Sequence, residues 1–344
     1  MATKYWVGGA PAATSHVVRF TPTVSGTNAF TITAGNYSLT VTPSIGNAST
    51  LCTEMLSALG GSSVPIMLRS GGGEVTWTNG GTYLEATSAA AGGWFKFTAS
   101  ATGGDSWAIA TQTESTGPNI LTDPKNWSGG TIPGSGDTLV FHRTNAQILY
   151  DLDAWASTTF AAVYFDAFSG LLGLPYKNTS GYAEYRPRYF KAGMTACTVG
   201  LVNGLGVNSG LVRLDTSNIQ TNLKVMGGGT AVENGVEAVV WKGTHASNVV
   251  TALRGTVGIA TERGDAATVA TLNVGYIDSP SADVICNVGP NVTLTTINAY
   301  GGLLGLNSSW SGTLTPRAPG RMYIMPGVTV GTIDTAGRPL IIGV

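Results

Sequence analysis

The sequence predicts a mainly β protein: a parallel β-solenoid (β-helix) body together with an α+β module built from a β-sheet and one helix. Three observations carry this expectation. Gly makes up 48 of 344 residues while charged residues make up only 11%, about double and under half of their ordinary shares, and this excludes a coiled coil or other long-helix protein. From about residue 190 onward the apolar runs are short and closely spaced, with Gly or Asn in nearly every gap. A segment near the end of the chain recurs at a fixed offset.

Read in order, residues 1–15 form an N-terminal strand or attachment segment, and 16–118 form the α+β module. Residues 119–190 form a cap and the first coils, and 191–344 the solenoid proper. In the module, Val17–Phe20, Phe30–Thr33, Tyr37–Thr42, Glu74–Trp77, Thr82–Glu85, Trp94–Phe97 and Trp107–Ala110 are short alternating runs rich in Thr, Val and aromatics. Ala34-Gly35-Asn36, Asn79-Gly80-Gly81 and Thr102-Gly103-Gly104-Asp105 supply turn chemistry between them, so hairpins are expected. Asn47–Gly61 breaks the pattern: Leu51, Met55, Leu56 and Leu59 fall on one helical face, with Ser49 or Thr50 as cap and Gly60 as stop. This is the one solid helix expected, packed across one sheet.

Ser115–Asn119 reads as a linker. Beyond it, Val212–Leu214, Leu223–Val225, Ala238–Trp241, Val257–Ile259, Thr271–Val274 and Val284–Cys286 are strands too short and too regularly pitched for a sandwich. Pro290–Gly301 matches Pro326–Gly337 at Pro, Val, Thr, Thr, Ile and Gly, an offset of 36 residues that extends to Leu304 and Leu340. That offset is two rungs of about 18 residues or one long rung. A rung alone has no partner for its apolar face, so rungs stack.

The formal net charge is -1, from 18 Lys+Arg against 19 Asp+Glu, and no like-charge run occurs. A nucleic-acid partner bound through counterion release is not expected. Cys52, Cys197 and Cys286 have no CxxC spacing and read as buried free thiols, without a metal site. No apolar run reaches the roughly 20 residues of a membrane span, so no membrane partner is expected. The first residues lack an apolar signal core, and synthesis as a soluble protein in a cytoplasm is expected.

Tyr5-Trp6-Val7-Gly8-Gly9, and Asn126-Trp127-Ser128-Gly129-Gly130-Thr131-Ile132-Pro133-Gly134-Ser135-Gly136-Asp137 leading into Thr138–Phe141, resemble the opening of a phage and prophage group of Gly-rich structural proteins. Ser169–Pro175 and Gly181–Pro187 are similar to it as well. The resemblance covers about residues 1–15 and 119–220. It implies a virion component, trimeric and attached to a capsid or tail. The chain departs from the pattern by separating the two Trp-bearing pieces, so the α+β module reads as an insertion. On physical grounds Trp127 is a cap plate over the end of the solenoid, with Trp6 a second structural aromatic. Asp137 is a structural residue too, bonding backbone N–H groups of its turn two residues on.

Chemistry is thinly represented. His16, His142 and His245 stand alone in different regions, which suits packing better than general base work. Asp151 with Asp153, Asp166, Glu184, and Glu233 with Glu237 are the carboxylates that a glycan-cleaving pair would draw on. Asp151 and Asp153 would share one face of a strand, although Asp beside a strand is more often a turn former. Gly71–Gly73 and Gly227–Gly229 lack the following Lys-Ser/Thr and helix of a phosphate cradle. No catalytic residue, metal or cofactor is expected, and the chain is not expected to be an enzyme.

The most concentrated surface signal is Pro175–Lys191, with four tyrosines and four basic residues in a charge-poor chain. Tyr182, Tyr185, Arg186, Arg188 and Tyr189 are the candidate interface residues, being of the types enriched at binding hot spots. Packing of these tyrosines back onto the solenoid is the competing reading. The function expected is that of a homotrimeric capsid decoration (cement) protein in the virion, with itself and the major capsid protein or tail proteins as partners. The alternatives are a tail fibre or tailspike that binds host-surface glycan, and a glycan-cleaving tailspike.

Overall fold

The computed structural model describes residues 1–344 apart from 36, 72–73, 174–175, 178–182, 185–188, 201–210, 228–236, 277–283, 317–319, 334–339 and 344. The chain divides into two compact units. Met1–Gly8, Pro124–Gly173 and Arg188–Val344 make the first, and Gly9–Asp123 with Leu174–Pro187 the second.

The protein is mainly β, with long parallel sheets in the first unit. A ten-stranded sheet begins with Thr3–Tyr5, Thr138–His142 and Thr159–Asp166 and ends with Thr313–Pro316 and Thr332–Ile333. An eight-stranded sheet runs from Phe190–Lys191 to Leu340–Gly343. From Phe190 onward successive strands alternate between the two sheets, and each pairs in parallel with the strand two places later.

The two-residue alternation of short strands dictates what stacks. In Ala267–Val274 the residues Ala267, Val269, Leu272 and Val274 are buried. Because the pairing is in register, such residues form continuous columns. Leu139, Val163, Cys197, Leu223, Val250, Leu272, Ile297 and Leu314 lie opposite one another on consecutive strands of the larger sheet. Phe190, Leu214, Trp241, Ile259, Val288, Leu306 and Ile324 do the same on the smaller one. Phe141 of the first sheet meets Phe190 of the second at 6.2 Å between ring centroids, so the two apolar faces meet at these strands. Burial of such columns at about 25 cal/mol per Å² is the main force available to hold short strands in parallel pairing.

The 36-residue repeat resolves into two steps along the larger sheet: Thr296 pairs with Thr313 and Thr313 with Thr332, while Ile297, Leu314 and Ile333 follow beside them. In the smaller sheet the sequence match slips. Leu304 lies on the column of Met322 and Ile342, whereas Leu340 pairs with Gly320.

Glycine is required where consecutive strands turn at close quarters. Gly200 has φ 93, and a Cβ there would lie 2.4 Å from the backbone nitrogen of Gly227. Gly275, at φ 83, approaches the nitrogen of Gly301 to 2.7 Å in the same sense.

The second unit holds three antiparallel sheets, the smallest being the pair Tyr176–Lys177 and Ala183–Glu184; the two larger ones form its body. One orders Val75–Asn79, Leu84–Ser88, Val17–Thr23 and Ser106–Thr113, and the other Tyr37–Val41, Phe30–Ala34 and Thr98–Ala101. Helix α1 (Ala48–Leu59) buries Leu51, Cys52, Met55 and Leu59, with Leu56 only partly covered. Its cap is Asn47, whose side chain accepts from the Thr50 amide at 2.8 Å, rather than Ser49 or Thr50. Asn47 sits in extended backbone, so its oxygen can fold back onto the first turn. The helix touches strands of both sheets, Val75–Asn79 and Tyr37–Val41, rather than one. Trp94–Phe97 is not a strand: the chain there is irregular, with Phe95 and Phe97 stacked at 4.7 Å, and pairing starts at Thr98. Ser115–Asn119 is bonded rather than a free linker, since the Thr116 amide donates to Thr14 Oγ1 at 2.9 Å and the Gly117 amide to Asp123 at 2.9 Å.

Candidate functional site

Two constructions stand out in the first unit, an aromatic cluster at its first strands and a charged cluster on the smaller sheet. Trp6 follows the strand Thr3–Tyr5, and its ring meets Trp127 edge-on at 5.2 Å. Trp127 packs in turn on Phe141 at 5.7 Å and Trp155 at 5.7 Å, and both Trp6 and Trp127 are buried. The main chain joins the same pieces, because the amides of Val7 and Gly8 both donate to the Asn126 carbonyl. Asp137 accepts from the Ala2 amide at 2.7 Å and the Gly134 amide at 3.0 Å. Its turn contact is therefore three residues back rather than two residues on. These backbone bonds, Gly134 first, hold its carboxyl below the usual range because they favour the ionised form.

Of the proposed interface residues, Tyr182, Tyr185, Arg186 and Arg188 lie outside the described residues, as does Glu233 among the carboxylates. Tyr189 is described, and it enters a cluster that sequence spacing did not reveal. On Val212–Asp215 and Val239–Lys242 the alternation buries Val212, Leu214, Val239 and Trp241 in the apolar interior and turns Arg213, Asp215 and Lys242 to the other face. The register sets Lys242 opposite Asp215, with charged atoms 3.9 Å apart. Lys242 also donates to Asp265 at 2.8 Å and lies 4.2 Å over the Tyr189 ring, a cation–π contact. The Tyr189 hydroxyl donates to the other oxygen of Asp265. Arg213 lies 3.7 Å from Glu262, and Glu237 accepts from Asn287 at 2.9 Å and Thr261 at 3.2 Å.

Burial governs the electrostatics. It pushes the Tyr189 phenol up, reinforced by the bond to Asp265. It lowers Arg213 against the pull of Glu262, and raises Glu262 against the pull of Arg213. Both Asp265 oxygens are engaged, which suits a clamp. The clamp fixes the Thr261–Asp265 loop over the face of the sheet. Arg213 Nη1 is buried without a hydrogen-bond partner among the described residues.

The carboxylates expected to pair do not share a strand face. Asp151 and Asp153 lie in successive turns, where their carbonyls accept from the Ala154 and Ala156 amides, and Asp151 has φ 63. Short polar side chains tolerate that left-handed backbone, which is why Asp occupies a turn here. Asp166 lies opposite His142 on the neighbouring strand and bonds its Nδ1, so His142 is not alone. Glu184 sits on a two-residue strand paired with Tyr176–Lys177. His16 stacks on Trp94 and meets Phe95 edge-on, and the Nδ1 of His245 accepts from the Ser247 amide at 3.1 Å. Cys197 and Cys286 occupy apolar columns, and burial pushes the Cys286 thiol up to about 12 and that of Cys52 up to about 11, which makes them poor nucleophiles. Among the described residues no group of three or more His, Cys, Asp or Glu could hold a metal ion, and no helix is long and apolar enough to cross a membrane.

Fold and site together define a class: a mainly β protein with long in-register parallel sheets, an aromatic cluster at the first strands and a salt-linked clamp. No protein-family model matches the chain, and no curated protein matches it.

Proposed function

We propose that the protein is a bacteriophage virion structural protein, a homotrimeric capsid decoration protein whose first unit is a parallel β-solenoid. The observation that carries the solenoid reading is the strict alternation of strands between two in-register parallel sheets from Phe190 to Gly343. A chain that alternates this way advances one strand spacing, about 4.8 Å, per circuit. The Trp6 and Trp127 motifs, with the virion proteins they resemble, support the assignment to a particle. Scarce charge and abundant Thr, Asn and Gly suit broad hydrogen-bonded contacts with copies of itself and with a shell.

The mechanism is added interface. Apolar burial between protomers and across capsomers contributes about 25 cal/mol per Å² before association costs. The clamp around Asp265 contributes rigidity, since a surface held before binding loses less entropy on association. The protein performs no chemistry in this role.

Copy number in purified particles and sedimentation of the isolated protein test the reading. Hundreds of copies per particle, binding to tailless shells and a trimer in solution are the expected results. A few copies per particle, or failure to bind shells lacking tails, would place it in the tail and overturn the decoration role.

A further inference from the structure

The repeated segment has a consequence of its own. The three turns that connect the last strands of the smaller sheet to those of the larger one stack side by side, and a cleft opens along them. Pro290, Asn291 and Thr293 come from the first turn and its strand, Asn307 and Ser309 from the middle turn, and Pro326 from the third. The cleft is braced rather than loose: Asn307 N donates to the Val288 carbonyl at 3.0 Å, Trp310 N to the Thr329 carbonyl at 2.8 Å, and Thr329 N to Ser309 Oγ at 3.1 Å.

We infer that this cleft binds a neutral saccharide unit. The two prolines, supplied by the two copies of the repeat, lie two strand spacings apart, about 10 Å, and offer flat C–H surfaces for the apolar faces of a pyranose. Between them Asn307 carries an amide that can donate and accept, and Thr293 a hydroxyl that can do either. Both are exposed, and neither side chain has a hydrogen-bond partner among the described residues. No lining residue is charged, so nothing there selects a phosphate, carboxylate or sulfate, whereas a polyhydroxylated neutral ring matches every group present. This inference concerns the cleft alone and holds whether the protein sits on a capsid or a tail.

A printed array of neutral and acidic glycans, followed by saturation-transfer NMR and titration of the full chain with maltotetraose, tetra-N-acetylchitotetraose and tetragalacturonate, tests it. Binding of at least one neutral oligosaccharide, weakened about fivefold by Asn307→Ala and again by Thr293→Val, is expected, as each removes one hydrogen-bonding group. Both side chains are exposed, so the thermal midpoint should stay at the parent value and report that the variants are folded. Absence of any neutral ligand on the array, equal binding of tetragalacturonate, or binding that survives both substitutions would overturn the proposal.

Discussion

His16 shows how one buried side chain couples this fold to pH. It is 4% exposed, stacked 5.7 Å from Trp94 and edge-on to Phe95 at 4.9 Å, with Nδ1 3.7 Å from Glu114. Burial lowers its pKa below 6.5, against the opposing pull of Glu114 and the Thr113 carbonyl. The unfolded chain therefore binds the proton more readily. Stability from the neutral imidazole is complete above pH 6.5 and declines as pH falls through that value toward the lower folded-state pKa. The slope is at most about 1.4 kcal/mol per pH unit. Urea unfolding at stepped pH should show this decline, and His16→Phe, which keeps an aromatic ring, should flatten it. An unchanged slope in the variant would mean that another group titrates.

At the scale of elements, the corners between strands decide what can be substituted. Arg143 and Ala167 follow the paired residues His142 and Asp166 and have φ 44 and 51. Gly200 combines φ 93 with backbone contact to Gly227. Gly200→Ala should cost more than about 2 kcal/mol, from left-handed strain plus a clash no rotamer relieves. Ala167→Gly should be neutral or stabilising by up to about 1 kcal/mol, because the left-handed penalty outweighs the added chain entropy. Denaturant midpoints check both, and equal effects at the two corners would contradict the account. The aromatic cluster is the other sensitive element: Trp127→Ala removes a ring that touches Trp6, Phe141 and Trp155, at a cost of about 3–5 kcal/mol.

At the scale of the whole molecule, the division into two compact units predicts two calorimetric transitions. Trp127→Ala should lower one of them and His16→Phe should change the pH dependence of the other. A single transition moved by both substitutions would show that the units unfold together.

Much of this was legible from residue order. Alternating Thr- and Val-rich runs, the Leu51–Leu59 helical face and the Trp-bearing motifs are local patterns, and the structure places strands, helix and buried tryptophans there. The charged cluster was not legible. Tyr189, Arg213, Lys242, Glu262 and Asp265 are separated by up to 76 residues and meet only because the strands between them stack in one register. The repeat shows the same limit, matching position for position in the larger sheet and slipping by two in the smaller.

The sequence by itself determined the mainly β character and the apolar alternation, because the period-two burial of a strand is written residue by residue. Only the tertiary structure decided which strands lie side by side, and with that the Asp265 clamp, the His142–Asp166 pair and the cleft between Pro290 and Pro326. Pairing register depends on loop lengths and on contacts many residues apart, and no local pattern encodes it.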